Sequence, residues 1–245
     1  MNLQRQQIIY YAIKHNGEYH SVLNALSQNE AWQEVGDVAA ITIIDSDYPV
    51  YFWQLRYPPL CLFYRGNKSL LADKKVAIVG SRDVGEEIRL LTKIIVKNLN
   101  IDYDILSGMA KGVDGYSHRA AIACGKKTIG ILANGIKYCY PPENSDLYEL
   151  MVKEHLLLSE YPQYCRPLRY HFPFRNRLIA ALADKLIIPA AKEKSGTMIT
   201  VDCALELNKD IYCWDDNSAV AKQANAYLLQ QGVNVLSSLQ AIKEL

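Results

Sequence analysis

One stretch of the chain is unusually rich in both basic and aromatic side chains. Residues 161–183 contain no aspartate or glutamate, although charged residues make up 22% of the 245-residue chain. Guanidinium groups can follow a phosphate backbone while aromatic rings stack on unpaired bases, so this composition favours single-stranded nucleic acid. Internal roles also stay open, because Asn176 and Arg177 could cap helices or bridge loops and Phe174 could belong to the core. The basic and aromatic residues are Arg166, Arg169, His171, Arg175 and Arg177, and Tyr161, Tyr164, Tyr170, Phe172 and Phe174.

Three short polar motifs, each placed after an apolar run, could bind an oxyanion. Glycine turns and the first turn of a helix expose backbone amides and the positive end of the helix dipole. Arg82 and Lys111 would add cations, although a tight strand–helix turn with Arg82 in solvent is the alternative for the first motif. Lys137, which follows Asn134-Gly135, is a weaker candidate. The three motifs are Gly80-Ser81-Arg82, the turn from Gly108 to Gly112, and Ser195-Gly196-Thr197.

Several other chemistries have no support in the residue pattern. The chain carries neither the GxGxxG fingerprint of dinucleotide binding nor the Walker motif of nucleotide triphosphatases. Asp114 and His118 share one helical face, but such a pair is more often structural than catalytic. The six cysteines contain no C-x-x-C pair and no zinc-finger spacing, so we expect reduced thiols. We therefore assign no catalytic residue, no metal and no cofactor.

The elements that must position these motifs are strands and helices in alternation from residue 76 onward. Uninterrupted apolar strands separated by helices indicate a parallel sheet covered on both faces, which is the doubly wound α/β class. Ligands of that class bind beyond the carboxyl ends of the strands, where the strand order reverses. The predicted strands are Val76–Gly80, Asp104–Leu106, Thr128–Leu132, Leu156–Ser159, Lys185–Pro189, Ile211–Trp214 and Val233–Leu236. The predicted helices are 84–99, Val113–Ala123, Leu147–Glu154, Asn176–Ala183, Thr197–Leu207 and 218–230.

The remaining residues predict a small addition to this α/β domain. Residues 1–45 carry two helical apolar stripes and predict a small N-terminal helical region. Residues 46–66 are dense in proline and aromatic residues and predict a connector packed on the sheet, so the α/β domain would cover residues 46–245.

Composition and charge limit the functional class further. Half of the residues are apolar, and 27 Lys and Arg against 26 Asp and Glu give a net charge of +1. A protein that coats nucleic acid by bulk charge would be more basic, so any such site must be a local patch. No secretory signal and no run of about 18 apolar residues is present, so we expect a soluble, cytoplasmic protein without membrane contact.

The motifs also resemble a known family. VAIVGSR, SGMAKGVDGYSHRAA, GILANGIKYCYPPEN, FPFRNR and SGT occur in the order found in the DNA-processing protein A family (DprA, also called Smf), over roughly residues 45–236. The resemblance implies an extended Rossmann-like domain that binds single-stranded DNA. It further implies a homodimer that protects incoming DNA and helps to load the RecA recombinase during natural transformation, without catalytic turnover.

Residue roles carried over from the family concern the same motifs. The resemblance implies a DNA pocket built from Arg82, Lys111, Arg169 and Phe172, with Arg175, Asn176 and Arg177 of the RNR motif and Ser195, Gly196 and Thr197 of the SGT turn. It implies dimerisation, which the apolar run Ala219–Leu229 supports. The alternatives are a Rossmann-like enzyme that binds or hydrolyses nucleotides, and a nucleotide-sensing or purely structural module.

Overall fold

The protein folds around one nine-stranded sheet that is parallel except at one edge. The computed structural model describes residues 3–215 and 219–245, without the side chains of residues 219–224. Strands β3 to β9 correspond to the seven strands predicted from apolar runs. In chain order the strands are β1 (Ala40–Thr42), β2 (Cys61–Gly66), β3 (Lys74–Ile78), β4 (Tyr103–Ser107), β5 (Thr128–Ile131), β6 (Leu156–Ser159), β7 (Lys185–Ile188), β8 (Asp210–Trp214) and β9 (Asn234–Leu236).

The strand order confirms the doubly wound, mostly parallel architecture. Across the sheet the order is β1-β2-β6-β5-β4-β3-β7-β8-β9. The chain builds from β3 outward to β6, returns to the other side of β3, and continues through β7, β8 and β9. All pairs from β6 to β9 are parallel. The order therefore reverses at β3 and β7, which is where ligands bind in such folds.

Two strands at the antiparallel edge were not predicted. β2 pairs antiparallel with β6, and β1 pairs antiparallel with β2. The connector over residues 46–66 thus contributes a strand to the sheet rather than only packing on it, and the helical N-terminal region contributes another. The physical reason is that Cys61, Leu62 and Phe63 bury both faces of a short strand that completes the sheet beside β6.

Helices cover both faces of the sheet. α6 starts five residues earlier than predicted, and α9 was not predicted. The predicted helix over 218–230 is observed from Ala219, and residue 218 lies outside the described residues. The helices are α1 (Leu3–Lys14), α2 (Tyr19–Ser27), α3 (Glu86–Asn98), α4 (Val113–Ala123), α5 (Ser145–Glu154), α6 (His171–Leu182), α7 (Gly196–Glu206), α8 (Ala219–Gln230) and α9 (Leu239–Lys243).

The core consists of apolar layers on the two sides of the sheet. Successive strand residues point to opposite faces, so Leu156 and Leu158 pack in the layer of α6 and α7 whereas Leu157 packs against α1 and α5. The second face continues under α3, α4 and α9. Among the described residues, no helix is both long and apolar enough to cross a bilayer.

Two buried charged residues lie at the end of the sheet opposite the predicted ligand edge. Lys75 on β3 and Asp104 on β4 are neighbours in register, and both are less than 9% exposed. The Lys75 ammonium donates to the carbonyls of Leu71, at 2.8 Å, and Asp73. One carboxylate oxygen of Asp104 is buried without a hydrogen-bond partner among the described residues. Burial raises the pKa of Asp104 from its ordinary value to about 6.

Asp104 should therefore make the fold less stable as the pH rises. The folded state holds the proton more tightly than the unfolded chain, so the stability contributed by the protonated form is present below about pH 4 and is lost by about pH 6. We expect Asp104→Asn to raise the free energy of unfolding at pH 7 by up to about 3 kcal/mol, and to flatten its slope between pH 4 and 6. Urea unfolding across this pH range measures both effects. Asp102→Asn, at an exposed position two residues away, is the matched control, and equal behaviour of the two variants would contradict the assignment.

Candidate nucleic-acid interface

A cleft of about 630 Å³ lies at the carboxyl ends of the strands, where the strand order reverses. The turn after β3, the start of α4, the segment that leads into α6 and the first turn of α7 form its walls. The predicted residues that line it are Gly80, Ser81, Arg82, Arg169, Phe172, Arg175, Asn176, Ser195, Gly196 and Thr197.

A smaller pocket of about 90 Å³ adjoins the cleft. Gly108 and Lys111 line this pocket, and four residues line both spaces: Arg82, Ala110, Tyr140 and Phe172. These four residues therefore form the boundary between the two pockets, with Arg82, Tyr140 and Phe172 as its large side chains. Gly112, Lys137 and Arg177 line neither of them.

The large boundary side chains form a cluster of one cation and two rings, whose planes are inclined by 60°. The guanidinium carbon of Arg82 lies 5.1 Å from the centre of the Phe172 ring, within the range of a cation–π contact. The Phe172 and Tyr140 rings are 5.9 Å apart, centre to centre. Arg82 is exposed and Phe172 is half-buried. The cluster of Arg82, Phe172 and Tyr140 therefore presents one charged group and two aromatic rings at the mouth of the cleft.

Hydroxyl groups and a helix start form the inner wall of the cleft. Ser195 precedes α7 with an extended backbone, and its hydroxyl makes no capping hydrogen bond. That hydroxyl oxygen is buried without a partner among the described residues. Thr197 and Thr200, less than 9% exposed, line the same wall. The first amides of α7 have no acceptor within the helix, so this wall offers donors to an anion.

Arg175 forms the floor of the cleft rather than its rim. It is 3% exposed, and its guanidinium donates to the carbonyls of Gly108, at 2.7 Å, and Ile131. Its Nε donates to the side-chain oxygen of Asn176 at 3.1 Å. Burial lowers the pKa of Arg175 to about 10, against an opposing effect of Asp114, so the group is still cationic at neutral pH. These hydrogen bonds connect the turn after β4 to the end of β5.

Asp114 is the buried counter-charge at this floor. Its carboxylate accepts hydrogen bonds from the amides of Ala110 and Gly108, and it lies beside Arg175. Burial raises the pKa of Asp114, while Arg175 and Arg82 act in the opposite direction. The predicted partner on the same helix, His118, is fully buried and bonds Thr128 at 2.6 Å. Burial lowers the pKa of His118 to about 3, so it is a neutral core residue.

The turn that carries Lys111 is held from two sides. Gly112 has φ of +73°, and a Cβ there would lie 2.3 Å from the carbonyl oxygen of Ser81, so only glycine lets the turn pack on the GSR backbone. On the other side, the Asn144 amide donates to the carbonyls of Met109 and Ala110 at 3.1 and 3.2 Å. Lys111 itself is exposed and forms an ion pair with Glu143.

Arg177 points away from the cleft. Its guanidinium makes two hydrogen bonds to Glu160, at 2.6 and 2.7 Å, and both side chains are less than 10% exposed. It also donates to the carbonyls of Tyr57 and Phe174. The phosphate contact predicted for Arg177 finds no support in this geometry, whereas the alternative of an internal bridge does. Lys137 is exposed but lies outside the cleft.

Three contributors to the site were missed from the sequence. Lys192 follows β7, is exposed and lines the cleft. Tyr140 belongs to the cluster with Arg82 and Phe172 at the mouth of the cleft. Asn225 interrupts α8 and is fully buried, with hydrogen bonds to the carbonyls of Pro189 and Trp214 and from the amide of Ala191. Lys192 could have been found from its place in the loop that follows β7. Nothing in the local sequence indicates that Asn225, inside a helix, hydrogen-bonds to residues at the ends of two strands.

The N-terminal region also contacts the segment that leads into α6. Glu18, which precedes α2, accepts a hydrogen bond from the Tyr170 hydroxyl at 2.8 Å. The same carboxylate lies 3.2 Å from Nε2 of His171, the first residue of α6. His171 is 1% exposed and stacks on Tyr161 with ring centres 3.8 Å apart. The start of α6, which carries Phe172, is therefore held by Glu18 of the N-terminal region and by Tyr161.

Comparison with known proteins identifies the family. The model of the DNA recombination-mediator protein A family matches residues 39–245. The chain belongs to this family. It is 36% identical to the DNA processing protein DprA of Bacillus subtilis over 220 residues, which cover 87% of this chain and 73% of the relative. It is 35% identical to DprA of Streptococcus pneumoniae over 204 residues, which cover 83% and 72%.

Solved structures of family members share the fold. The crystal structure of DprA from Streptococcus pneumoniae matches with a TM-score of 0.80 and 30% identity, covering 98% of this chain and 93% of that one. A structure of DprA from Helicobacter pylori, described by its single-stranded DNA binding mode, matches with a TM-score of 0.76 and 28% identity, covering 84% and 95%.

The geometry predicts that Arg175 is needed for folding. Arg175→Met would leave Asp114 buried without its counter-charge and the carbonyls of Gly108 and Ile131 without their donor. We expect a loss of about 3–5 kcal/mol in the free energy of unfolding, measured by urea denaturation. Arg169→Met, at an exposed position of the same cleft, should change stability by less than about 0.5 kcal/mol. Equal stability of the two variants would mean that the Arg175 guanidinium is free to bind ligand.

Proposed function

We propose that this protein is a single-stranded-DNA-binding recombination mediator that binds DNA in the cleft between β3 and β7. The observation that carries the proposal is the Arg82–Phe172 pair at the boundary between the two pockets. A cation beside a half-buried aromatic ring matches the alternation of phosphate and base along a single strand. Family membership and the single-stranded DNA named for the Helicobacter pylori relative support it.

In this proposal the exposed cations contact phosphates. Arg82, Arg169 and Lys192 surround the cleft, and the start of α7 adds backbone amides and the hydroxyls of Ser195 and Thr197. Lys111 in the smaller pocket would contact a neighbouring phosphate. Phosphate contacts of this kind position a strand without reading its sequence.

The aromatic side chains would bind the bases. The rings of Phe172 and Tyr140 offer faces on which a base can stack, and any base accepts such a face if it is unpaired. Duplex DNA keeps its bases stacked, so it cannot use these surfaces. The buried Arg175 and Asn176 have a structural role. Together with Gly80, Gly108 and Gly112, they hold in place the turns that carry these contacts.

We propose a binding role without catalytic turnover. Among the described residues, the carboxylates that line the cleft are those of Asp114 and Asp83. Asp114 accepts two backbone hydrogen bonds and balances Arg175, so it is committed to the floor of the cleft. Asp83 is exposed in the turn before α3. Neither is in the buried, unpaired setting that tunes a general base.

The wider role follows from the family. We propose that the protein acts in the cytoplasm, protects incoming DNA and helps to load a RecA-type recombinase during natural transformation. We further propose a homodimer through the C-terminal half. Among the described residues, β9 is the last strand of the sheet and Val235 on it is 49% exposed, which supports an interface there. The apolar run Ala219–Leu229 that suggested this surface lies partly outside the described side chains.

Salt titration of single-strand binding tests the proposal. We expect Arg82→Ala and Phe172→Ala each to weaken binding by about 1–3 kcal/mol, the former through a lost charge-assisted hydrogen bond and the latter through lost stacking. Arg82→Ala should also reduce the slope of log K against log salt by about 0.7, whereas Phe172→Ala should leave the slope unchanged. Fluorescence anisotropy with a labelled oligonucleotide measures both quantities.

Two controls make this result decisive. Arg89→Ala removes an exposed arginine of α3 that is paired with Glu86 at 3.0 Å and lies outside the cleft, so it should bind like the wild type. A duplex of equal length should compete poorly. Equal affinity for duplex, or wild-type binding by both cleft variants, would contradict the proposal.

The ion pair of Lys111 gives a second, opposite prediction. Glu143 occupies the Lys111 ammonium in the free protein, so a phosphate must compete with the carboxylate. We expect Glu143→Gln to bind single strands more tightly at low salt and to steepen the salt slope by up to about 0.7. Glu149→Gln, an exposed position on α5, makes the same change in net charge and should have a smaller effect. The same increase in both variants would point to overall charge rather than to Lys111.

A further inference from the structure

Two loops at the binding edge pair with each other through their backbones. Residues 133–140 follow β5 and residues 160–170 follow β6. The amides of Gly135 and Lys137 donate to the carbonyls of Cys165 and Gln163, both at 2.7 Å, and the amide of Ile136 donates to Tyr161 at 3.2 Å. A Cβ on Gly135 would lie 2.2 Å from the carbonyl oxygen of Gln163, so the approach requires glycine. The paired loops therefore form a fixed platform.

The platform displays large apolar and basic side chains to solvent. Tyr164 is 67% exposed, Tyr170 53% and Leu168 45%. Arg166 and Lys137 are exposed as well. Contiguous exposed apolar groups on a rigid surface mark a contact site. Two acids lie near this surface: Glu18 is engaged by the Tyr170 hydroxyl and by His171, and the exposed Asp37 lines a surface pocket with Lys137 and Gln163.

This surface is continuous with the cleft. Tyr140, at one end of the first loop, and Arg169, near the end of the second, both line the cleft. Lys137 is three residues from Tyr140, so their Cα atoms are at most about 11 Å apart. The backbone pairing at Lys137 and Gln163 then brings Tyr164 to the same end of the platform. The paired loops therefore begin at the cleft and continue away from it through Lys137 and Tyr164.

We propose that the platform of Lys137, Tyr164, Arg166, Leu168 and Tyr170 extends the path of single-stranded DNA beyond the cleft. Tyr164 stacks on a base, and Arg166 and Lys137 contact phosphates. Charge selects this partner, because residues 161–183 contain no carboxylate and the exposed ionic groups of the platform are cations. Exposed rings select single strands over duplex. The inference rests on the proposed function, since it needs DNA in the cleft.

Comparing strands of two lengths tests the extension. One oligonucleotide of about four nucleotides fills the cleft alone, and one of about twelve reaches the platform. We expect the double variant Tyr164→Ser/Arg166→Gln to bind the long strand about tenfold more weakly or worse and the short strand within about twofold of the wild type. Trp53→Ser/Arg56→Gln removes one exposed ring and one exposed arginine elsewhere, and should bind both strands normally.

Single variants keep the test valid if the double variant folds poorly. Tyr164→Phe retains the ring and should bind like the wild type, while Arg166→Gln should reduce the salt slope by up to about 0.7 on the long strand only. Losses that are equal on both lengths, or absent on both, would overturn the platform while leaving the cleft intact; the latter result would assign the surface to a protein partner. Failure of the wild type to bind either strand would instead overturn the proposed function.

Discussion

The guanidinium of Arg175 lies just beyond the last register pair of β4 and β5, where Ser107 faces Gly130. It donates to the carbonyls of Gly108, the first residue after β4, and Ile131, the last residue of β5. An isolated buried charge would cost several kcal/mol, so this arrangement is stable only because Asp114 and the carbonyl dipoles surround it. Asp114 in turn accepts the amides of Gly108 and Ala110. The turns of the binding edge therefore depend on one buried cation.

The basic residues at this edge of the sheet fall into two classes, one buried and one exposed. Arg175 and Arg177 are buried and hydrogen-bonded to internal acceptors, which offset the cost of their desolvation within the fold. Arg82, Arg169 and Lys192 are exposed around the cleft. A ligand that binds the exposed cations displaces water from them. It leaves the buried contacts of Arg175 and Arg177 with their carboxylate partners intact. Rigid turns with free cations are consequently a preorganised anion site, and preorganisation lowers the cost of binding.

The sequence was sufficient for the seven parallel strands and for bringing most of the candidate site residues to one cleft, for identifiable reasons. Strands such as Leu156–Ser159 are buried on both faces and therefore uninterrupted by polar residues. The strand Cys61–Gly66 was hidden because prolines and aromatic residues precede it and its pairing with β6 is set by tertiary contacts. The GSR and SGT motifs follow strands, so the topology alone brings them to one edge.

The roles of individual arginines could not be obtained in the same way. Arg175 and Arg177 are two residues apart on α6, and at about 100° per residue they point to nearly opposite sides of the helix. One side faces the cleft floor and the other faces Glu160 and the connector. Composition marks both as basic without indicating which acceptors surround them. Only the packing of α6 shows that Arg175 holds the floor of the cleft whereas Arg177 bridges to Glu160 and the connector.

A net charge of +1 is compatible with binding a polyanion, because carboxylates pair with cations away from the cleft and, among the described residues, not with the exposed cations that line it. Away from the cleft, cations such as Arg5 and Arg119 have carboxylate partners. Within the described part of the chain, no ion pair involves Arg82, Arg169 or Lys192. Salt screens exposed charges beyond about 8–10 Å, so a phosphate in the cleft interacts with these local cations and not with the average of the molecule. Since the attraction is confined to a cleft lined with rings, it favours a strand whose bases can enter, and a duplex surface gains little from it.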